Sequence, residues 1–389
     1  MQLLFLLRYL DSDGITKQTL DLASGLIQRG HGVTIASAGP RDDFGGLPIT
    51  SVTERGARHV TVAFPRGDRP AQIPGRALRS VLGLERMVGS LRPDVVHAQW
   101  RSLSPFAAWI SASRGIPFVT TTHLTGLRSD PLARLLTFWG DVATAMSRET
   151  EEELLSKFGL AADRIETIYN GASPERFAPA TPDGRRQARV ALGVPADAFV
   201  VSVIGRLGEE KGQDVLIEAL PSLAAAVPSA YVILAGSDNG TEHALRMRAE
   251  QTAMSPRVGF VGHVDAVRVL AASDVLALPS RKEGFPLVVV EAMLAGVPVV
   301  RTPTSGASET VQEGRTGRIV PFDDPNELAG ALTEYGLDPA LARQHGAEGR
   351  RSALAKFTVE TMIDRYEALY ERVRSARLER RTRRTRSST

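Results

Sequence analysis

RKEGFPLVVVEAMLAG, residues 281–296, decides how the rest of this 389-residue chain is read. It follows DVLALPS (274–280), an apolar run that reads as a buried strand closed by a Pro-Ser turn. Pro286 is expected at the first helical position, where its missing N–H costs no hydrogen bond. The helix should run to Ala295 and stop at Gly296, in the left-handed conformation common just past helix ends. Val288, Val289 and Val290 favour a strand, but the Pro and Gly punctuation and the following VPVV (297–300) outweigh them.

Nearly every residue of this helix is apolar, so it should be buried on most sides. Glu291 is the exception, and a carboxylate there costs several kcal/mol unless something binds it. It lies five residues past Pro286, about 7–8 Å along the axis at ~1.5 Å per residue. Glu283 lies in the loop before the helix. Between the two, the N–H groups of Leu287 and Val288 lack intrahelical partners and suit a phosphate. A ligand matching this layout is elongated, anionic in the middle, and rich in hydroxyls at both ends. A nucleotide-sugar has that form.

The run Glu283-Gly284-Phe285-Pro286-Leu287-Val288-Val289-Val290-Glu291 resembles the E-x7-E signature of retaining GT-B glycosyltransferases, particularly glycosyltransferase family 4. The resemblance implies that Glu283 approaches the donor sugar and that Glu291 binds the ribose hydroxyls. Pro286 departs from the glycine common at that place. It also implies an α/β fold of two Rossmann-like doubly wound domains facing a cleft.

The remaining sequence fits that plan. Strands and helices alternate from the start: LLFLL (3–7), the amphipathic stretch 16–30, then HGVTIAS (31–37). The loop DSDGIT (11–16) lacks a three-glycine fingerprint, which disfavours a dinucleotide-dependent oxidoreductase. It keeps only Gly14 of the Gly-Gly pair usual in the family. With Thr16 as the expected cap it is a suitable place for the donor phosphate, bound at Gly14, or for the acceptor. PDVVHAQW (93–100) and PFVTTTHLTG (117–126) put His97 and His123 at carboxyl strand ends, where open α/β sheets bind ligands. His123 resembles the family's histidine facing the donor sugar, whereas His97, in a more apolar setting, reads as structural. DVATAMS (141–147) is a further strand. RIETIYNGASPERF (164–177) resembles the turn that closes the first domain, with Asn170 at its Asn-Gly pair.

Residues 178–197 read as a linker by their proline and charge. A second alternating series opens with FVVSVIG (199–205) and continues through YVILAG, VGFVG, DVLAL, VPVV and GRIVP. After its first strand, GRLGEEKG (205–212) resembles the family's diphosphate motif. Arg206 can fork two phosphate oxygens and Lys211 adds a point charge. Such cations stabilise a departing diphosphate. VGHV (261–264), with Val264, fits the family's nucleobase pocket, and TSGASE (304–309) is a small-residue loop suited to close backbone approach. Met362, Ile363, Tyr366, Leu369 and Tyr370 follow helical spacing in a last helix, 358–374, which in GT-B enzymes returns to the first domain. The expected division is therefore 1–177, the linker, 198–357, the returning helix, and a basic tail, 375–389.

Composition narrows the function. The formal net charge of +3 hides a segregation: 372–389 carries eight arginines against Glu379, leaving the rest of the chain at −4. Such an end suits anionic lipid or nucleic acid, or is simply a solvated disordered end, the preferred reading here; no nucleic-acid partner is expected. The chain has no cysteine, hence no disulfide or thiolate metal site, and its seven histidines show no ligand spacing. MQLLFLLRYL lacks a basic leader and reads as a first strand, and no apolar run nears ~20 residues. A cytoplasmic enzyme is the expectation. The activity implied is metal-independent, retaining transfer from a nucleotide-sugar, a UDP-sugar by expectation, to an acceptor hydroxyl. The catalytic group would be Arg206, Lys211, Glu283 and His123, with no cofactor. A nucleotide-sugar 2-epimerase of the same fold, or a noncatalytic sugar-nucleotide binder, are the alternatives.

Overall fold

The computed structural model describes residues 1–41, 46–65 and 73–386. The chain forms two compact units: Met1–Asn170 with the C-terminal stretch from Val359 make unit 1, and Gly171–Thr358 make unit 2. Among the described residues, unit 1 holds seven strands: β1 (Gln2–Leu6), β2 (Gly32–Ser37), β3 (Arg58–Thr61), β4 (Val95–Ala98), β5 (Phe118–Thr122), β6 (Val142–Ala145) and β7 (Ile165–Thr167). Their order is β3-β2-β1-β4-β5-β6-β7, all parallel. Unit 2 holds β8 (Phe199–Ile204), β9 (Ala230–Ala235), β10 (Val258–Gly262), β11 (Val275–Leu278), β12 (Val299–Arg301) and β13 (Gly317–Ile319). Their order is β10-β9-β8-β11-β12-β13, again all parallel.

Both sheets are covered on both faces, which is why their central strands read as unbroken apolar runs. Along β1 the alternation is visible in the packing. Leu3 and Phe5 join the first helix (Gly14–Gln28) and the last helix (Val359–Arg386), while Leu4 and Leu6 face helices Ile73–Leu91 and Ser104–Arg114. In unit 2, Val201 and Val203 pack on helices Gln213–Ala226 and Pro325–Leu337, and Val200 on the opposite side. Strand order reverses between β1 and β4 in unit 1 and between β8 and β11 in unit 2. In sheets of this kind the crevice at that reversal, at the carboxyl strand ends, is where ligands sit.

Several expectations need correction. Residues 171–177 belong to unit 2, because the Ala172 N–H donates to the Phe357 carbonyl at 3.0 Å and Phe177 is buried. The stretch 178–197 is not a linker. Thr181 caps a helix, Pro182–Ala191, whose Ala188 enters the same small core as Val194, Ala198 and Val200. Pro182 begins that helix, where proline is favoured, and Arg189, 8% exposed, turns inward to Asp274 at 2.8 Å. The tail is not a disordered end either. The last helix runs on to Arg386, through a sequence of strong helix formers with no Gly or Pro to stop it; residues 387–389 lie outside the described residues. Strands β3 and β7 escape the sequence reading because they are short edge strands, half exposed, with no apolar run.

Candidate functional site

The adjacency of β8 and β11 brings together two loops that are 72 residues apart in sequence. Lys211, after β8, and Glu283, after β11, form an ion pair of 2.7 Å, Nζ to Oε1, with Glu283 largely buried. Gly212 makes that approach possible: it has φ +68°, and a Cβ there would lie 2.0 Å from the Pro279 carbonyl oxygen at the end of β11. Gln213 shapes the loop, donating from Nε2 to the Arg206 carbonyl at 3.0 Å. Arg206 itself is exposed, and its guanidinium has no ion pair among the described residues.

Arg281 is a residue the sequence reading passed over. It donates to both oxygens of Asp214 at 3.1 and 2.8 Å and to Asp323 at 2.6 Å, and its N–H bonds the Glu210 carbonyl at 2.8 Å. The Asp214 hydrogen bond, reinforced by Asp323, holds its guanidinium above its ordinary pKa. Burial pushes the Asp214 carboxyl up, but Arg281 outweighs it and keeps it low. Arg281 therefore clamps the β8 loop to the β11 loop. The only hint in sequence is a basic residue between a strand end and the signature.

The helix carrying Glu291 is Leu287–Leu294, ended by Ala295 and a left-handed Gly296. Pro286 is its N-cap rather than its first residue, with ψ 110°, because the ring fixes only φ and leaves ψ free to take the extended value of a cap. The cap residue Pro286 gives this helix no side-chain hydrogen bond, and the N–H groups of Leu287 and Val288, in its first turn, have no intrahelical acceptor. Glu291 is 4% exposed. Gly284, Phe285, Pro286 and Leu287 are buried and Val288 half-buried. The loop after β12 lies against this entry. A Cβ on Gly306, at φ +74°, would meet the Phe285 ring at 2.7 Å. Arg301, fully buried and unforeseen, holds that loop through the Thr304 hydroxyl at 2.8 Å and the Thr304 and Ser305 carbonyls. Val264, partly buried, packs on the core of Val200, Ile233 and Val269.

Gly14 and His123 belong to unit 1. Gly14 opens the first helix, and Asp13 caps it in place of Thr16, accepting from the Thr16 N–H at 2.8 Å. Thr16 stands at the third helical position, so its hydroxyl instead accepts from the Asp11 N–H at 3.3 Å. His123 follows β5 and is 7% exposed; its Nε2 is 3.2 Å from Gln99 Oε1, and its Nδ1 has no hydrogen-bond partner among the described residues. Burial lowers its pKa to about 3, against the pull of the Gln99 backbone carbonyl. His97 is fully buried, as a structural reading implies, between Tyr370 and Thr121 at 2.6 Å each, and burial lowers its pKa to about 3 as well. Asn170 is buried at the end of the first stretch of unit 1. Among the described residues, no helix is long and apolar enough to cross a membrane.

Comparison with known proteins agrees with this geometry. The model of "Glycosyltransferase Family 4" matches residues 12–176, and that of "Glycosyl transferases group 1" matches residues 184–352. The chain is 28% identical to the D-inositol 3-phosphate glycosyltransferase of Jonesia denitrificans, covering 94% of this chain and 92% of that one. It is 34% identical to the GDP-mannose-dependent alpha-(1-6)-phosphatidylinositol monomannoside mannosyltransferase of Mycolicibacterium smegmatis, covering 71% and 74%. Its fold matches the crystal structure of Anabaena HepE in complex with UDP and glucose, with a TM-score of 0.82 at 23% identity over 95% of this chain and 99% of that one. Two parallel Rossmann-like sheets, matched family models on both and relatives of that family along most of the chain place it in glycosyltransferase family 4, as a GT-B glycosyltransferase that uses a nucleotide-sugar donor.

Proposed function

We propose that the enzyme transfers its sugar with retention of anomeric configuration, without a divalent ion. The observation that carries this is the Lys211–Glu283 pair at the β8/β11 reversal, beside the uncapped helix that bears Glu291. In this reading Glu291 accepts hydrogen bonds from the ribose hydroxyls and the diphosphate meets the N–H groups of Leu287 and Val288. Arg206 reaches the same phosphates as an unpaired cation, and Lys211 supplies a second charge poised by Glu283. Glu283, with Gly284 to Pro286 forming its loop, orients the sugar, and His123 accepts from a sugar hydroxyl. Gly14, at the start of the first helix, is assigned to donor binding.

The bond from the anomeric carbon to the diphosphate oxygen breaks, and the leaving oxygen keeps the electron pair. That oxygen takes the proton of the acceptor hydroxyl while the acceptor oxygen bonds the anomeric carbon on the same face. Negative charge grows on the diphosphate, which is where preorganised cations and N–H groups lower the barrier most. No second carboxylate is required as a nucleophile. The base is expected to be uracil, with Val264 near it; relatives named for GDP-mannose make guanine the direct competitor.

Thermal-shift screening of UDP- and GDP-sugars, followed by NMR of the product anomer in excess EDTA, tests the reading. A true donor raises the melting temperature by mass action. An inverted product, or activity abolished by EDTA and restored by Mg²⁺ or Mn²⁺, would overturn it.

A further inference from the structure

The buried polar chain of unit 1 determines which nitrogen of His123 carries its proton. Tyr370, on the last helix, is fully buried, so its phenol O–H must find an acceptor. Among the described residues the partner of that hydroxyl is His97 Nδ1, at 2.6 Å. Desolvation raises the Tyr370 pKa well above its usual value, so the phenol keeps its proton and donates it.

His97 Nδ1 is therefore an acceptor, and in a neutral ring Nε2 then carries the hydrogen and donates to Thr121 Oγ1 at 2.6 Å. An acceptor at Nδ1 must face the NH₂ of Gln99, not its oxygen; the Gln99 Nε2 contact is 3.2 Å. That orientation turns Gln99 Oε1 toward His123 Nε2, 3.2 Å away. An amide oxygen only accepts, so His123 Nε2 bears the hydrogen. What remains is His123 Nδ1, a buried lone pair without a partner among the described residues.

We infer that Tyr370 and Gln99 are positioning residues that lock His123 in the Nε2–H tautomer, so that its Nδ1 takes a hydrogen-bond donor, a ligand hydroxyl, and not an anion or a carbonyl. The last helix thereby sets the chemistry of a loop after β5. The consequence for the sugar rests on the glycosyl-transfer reading, whereas the tautomer does not, and the two fail separately.

The test is NMR of the full-length protein labelled with ¹⁵N-histidine at neutral pH, with His123 assigned by its absence in His123→Gln. The expected His123 signal has Nδ1 in the unprotonated, pyridine-like range and Nε2 in the pyrrole-like range. The reverse assignment would overturn the proposal. In Tyr370→Phe the group that selects the orientation is gone while the ring volume is kept. His123 is then expected to lose its single tautomer, with its nitrogens moving toward averaged shifts. An unchanged pyridine-like Nδ1 in that variant would remove Tyr370 from the chain of control. The wild-type measurement stands on its own if the variant does not fold.

Discussion

Units 1 and 2 share one parallel plan, yet the carboxyl ends of β8 and β11 in unit 2 differ in character from those of β4 and β5 in unit 1. In unit 2 the edge is ionic: Lys211 with Glu283, Arg281 with Asp214 and Asp323, and exposed Arg206. In unit 1 the ends of β4 and β5 carry His97, Gln99 and His123, which are buried and joined to Tyr366, Tyr370, Thr121 and Thr144 by neutral hydrogen bonds. Charge stands where the proposed leaving group accumulates it, and a neutral network stands where hydroxyls are only oriented. An ion pair tolerates water, while buried neutral imidazoles require that none of them take up a proton.

Acid should therefore separate the units, and this is the largest effect expected. His97 and His123 have folded pKa values of about 3 against 6.5 for the free side chain. Between those values the unfolded chain binds more protons than the native one. Their contribution is complete above about pH 6.5 and is lost as pH falls through the window, at about 1.4 kcal/mol per pH unit for each histidine. At pH 4.5 the cost is about 5 kcal/mol for the two. Unit 2 holds one comparable group, His345, also lowered by burial. All three tryptophans, Trp100, Trp109 and Trp139, lie in unit 1, so fluorescence reports on that unit and far-ultraviolet circular dichroism on both. On acidification the urea midpoint by fluorescence should fall further than that by dichroism. Coincident midpoints from pH 7 to 4.5 would dissolve the contrast.

Next in size are changes to the ionic edge. Lys211→Ala leaves Glu283 as a largely buried carboxylate without its cation and removes a charge from the diphosphate. A fall in kcat of about 10²–10³-fold is expected, as for loss of one preorganised stabiliser. Glu283→Ala should act mainly on turnover too. Glu291→Ala should instead weaken binding of the free nucleoside diphosphate, by about tenfold to a hundredfold for a charge-assisted hydrogen bond. Calorimetry with UDP and GDP separates the two carboxylates. Wild-type affinity in both variants would mean that Glu291 does not hold the ribose.

The same contrast explains what was legible in the sequence. The signature 283–291 and the 205–212 motif are local, and a strand, a turn and a helix N-terminus can be read from consecutive residues. The Lys211–Glu283 pair is not local, since it follows from β8 lying beside β11. Arg281 and Arg301 were missed because their partners are carbonyls and acids of other loops. Gln99 had a readable signal: two residues past His97, it shares that histidine's side of the strand. Its role still required Tyr370, 271 positions away, which periodicity could place only as a core residue. The false linker shows the converse error. Composition there resembled a loop, and the burial of Ala188 and Val194 decided otherwise.

The smallest effect concerns the arginines of the last helix, where the ionic character reappears in unit 1 at the opposite edge of the sheet. Arg374 pairs with Asp94 at 3.1 Å and Arg380 lies 3.9 Å from Asp141, acids that directly precede β4 and β6. Arg372 pairs with Glu166, and Arg377 donates to the Gly115 carbonyl at 3.3 Å. Arg374 and Arg380 are exposed, at 46% and 69%, so each of their pairs contributes about 0–1 kcal/mol. Truncation after Ser375 keeps the buried Tyr366, Leu369, Tyr370 and Val373 and removes only the outer contacts. The melting temperature should fall by a few degrees at most, less in high salt, with transfer to a soluble acceptor unchanged. Arginines spent on Asp94, Asp141 and Glu166 are also less available to an anionic membrane. Salt-sensitive sedimentation of the full chain with anionic vesicles, lost on truncation, would show that the end of the helix has a second partner after all.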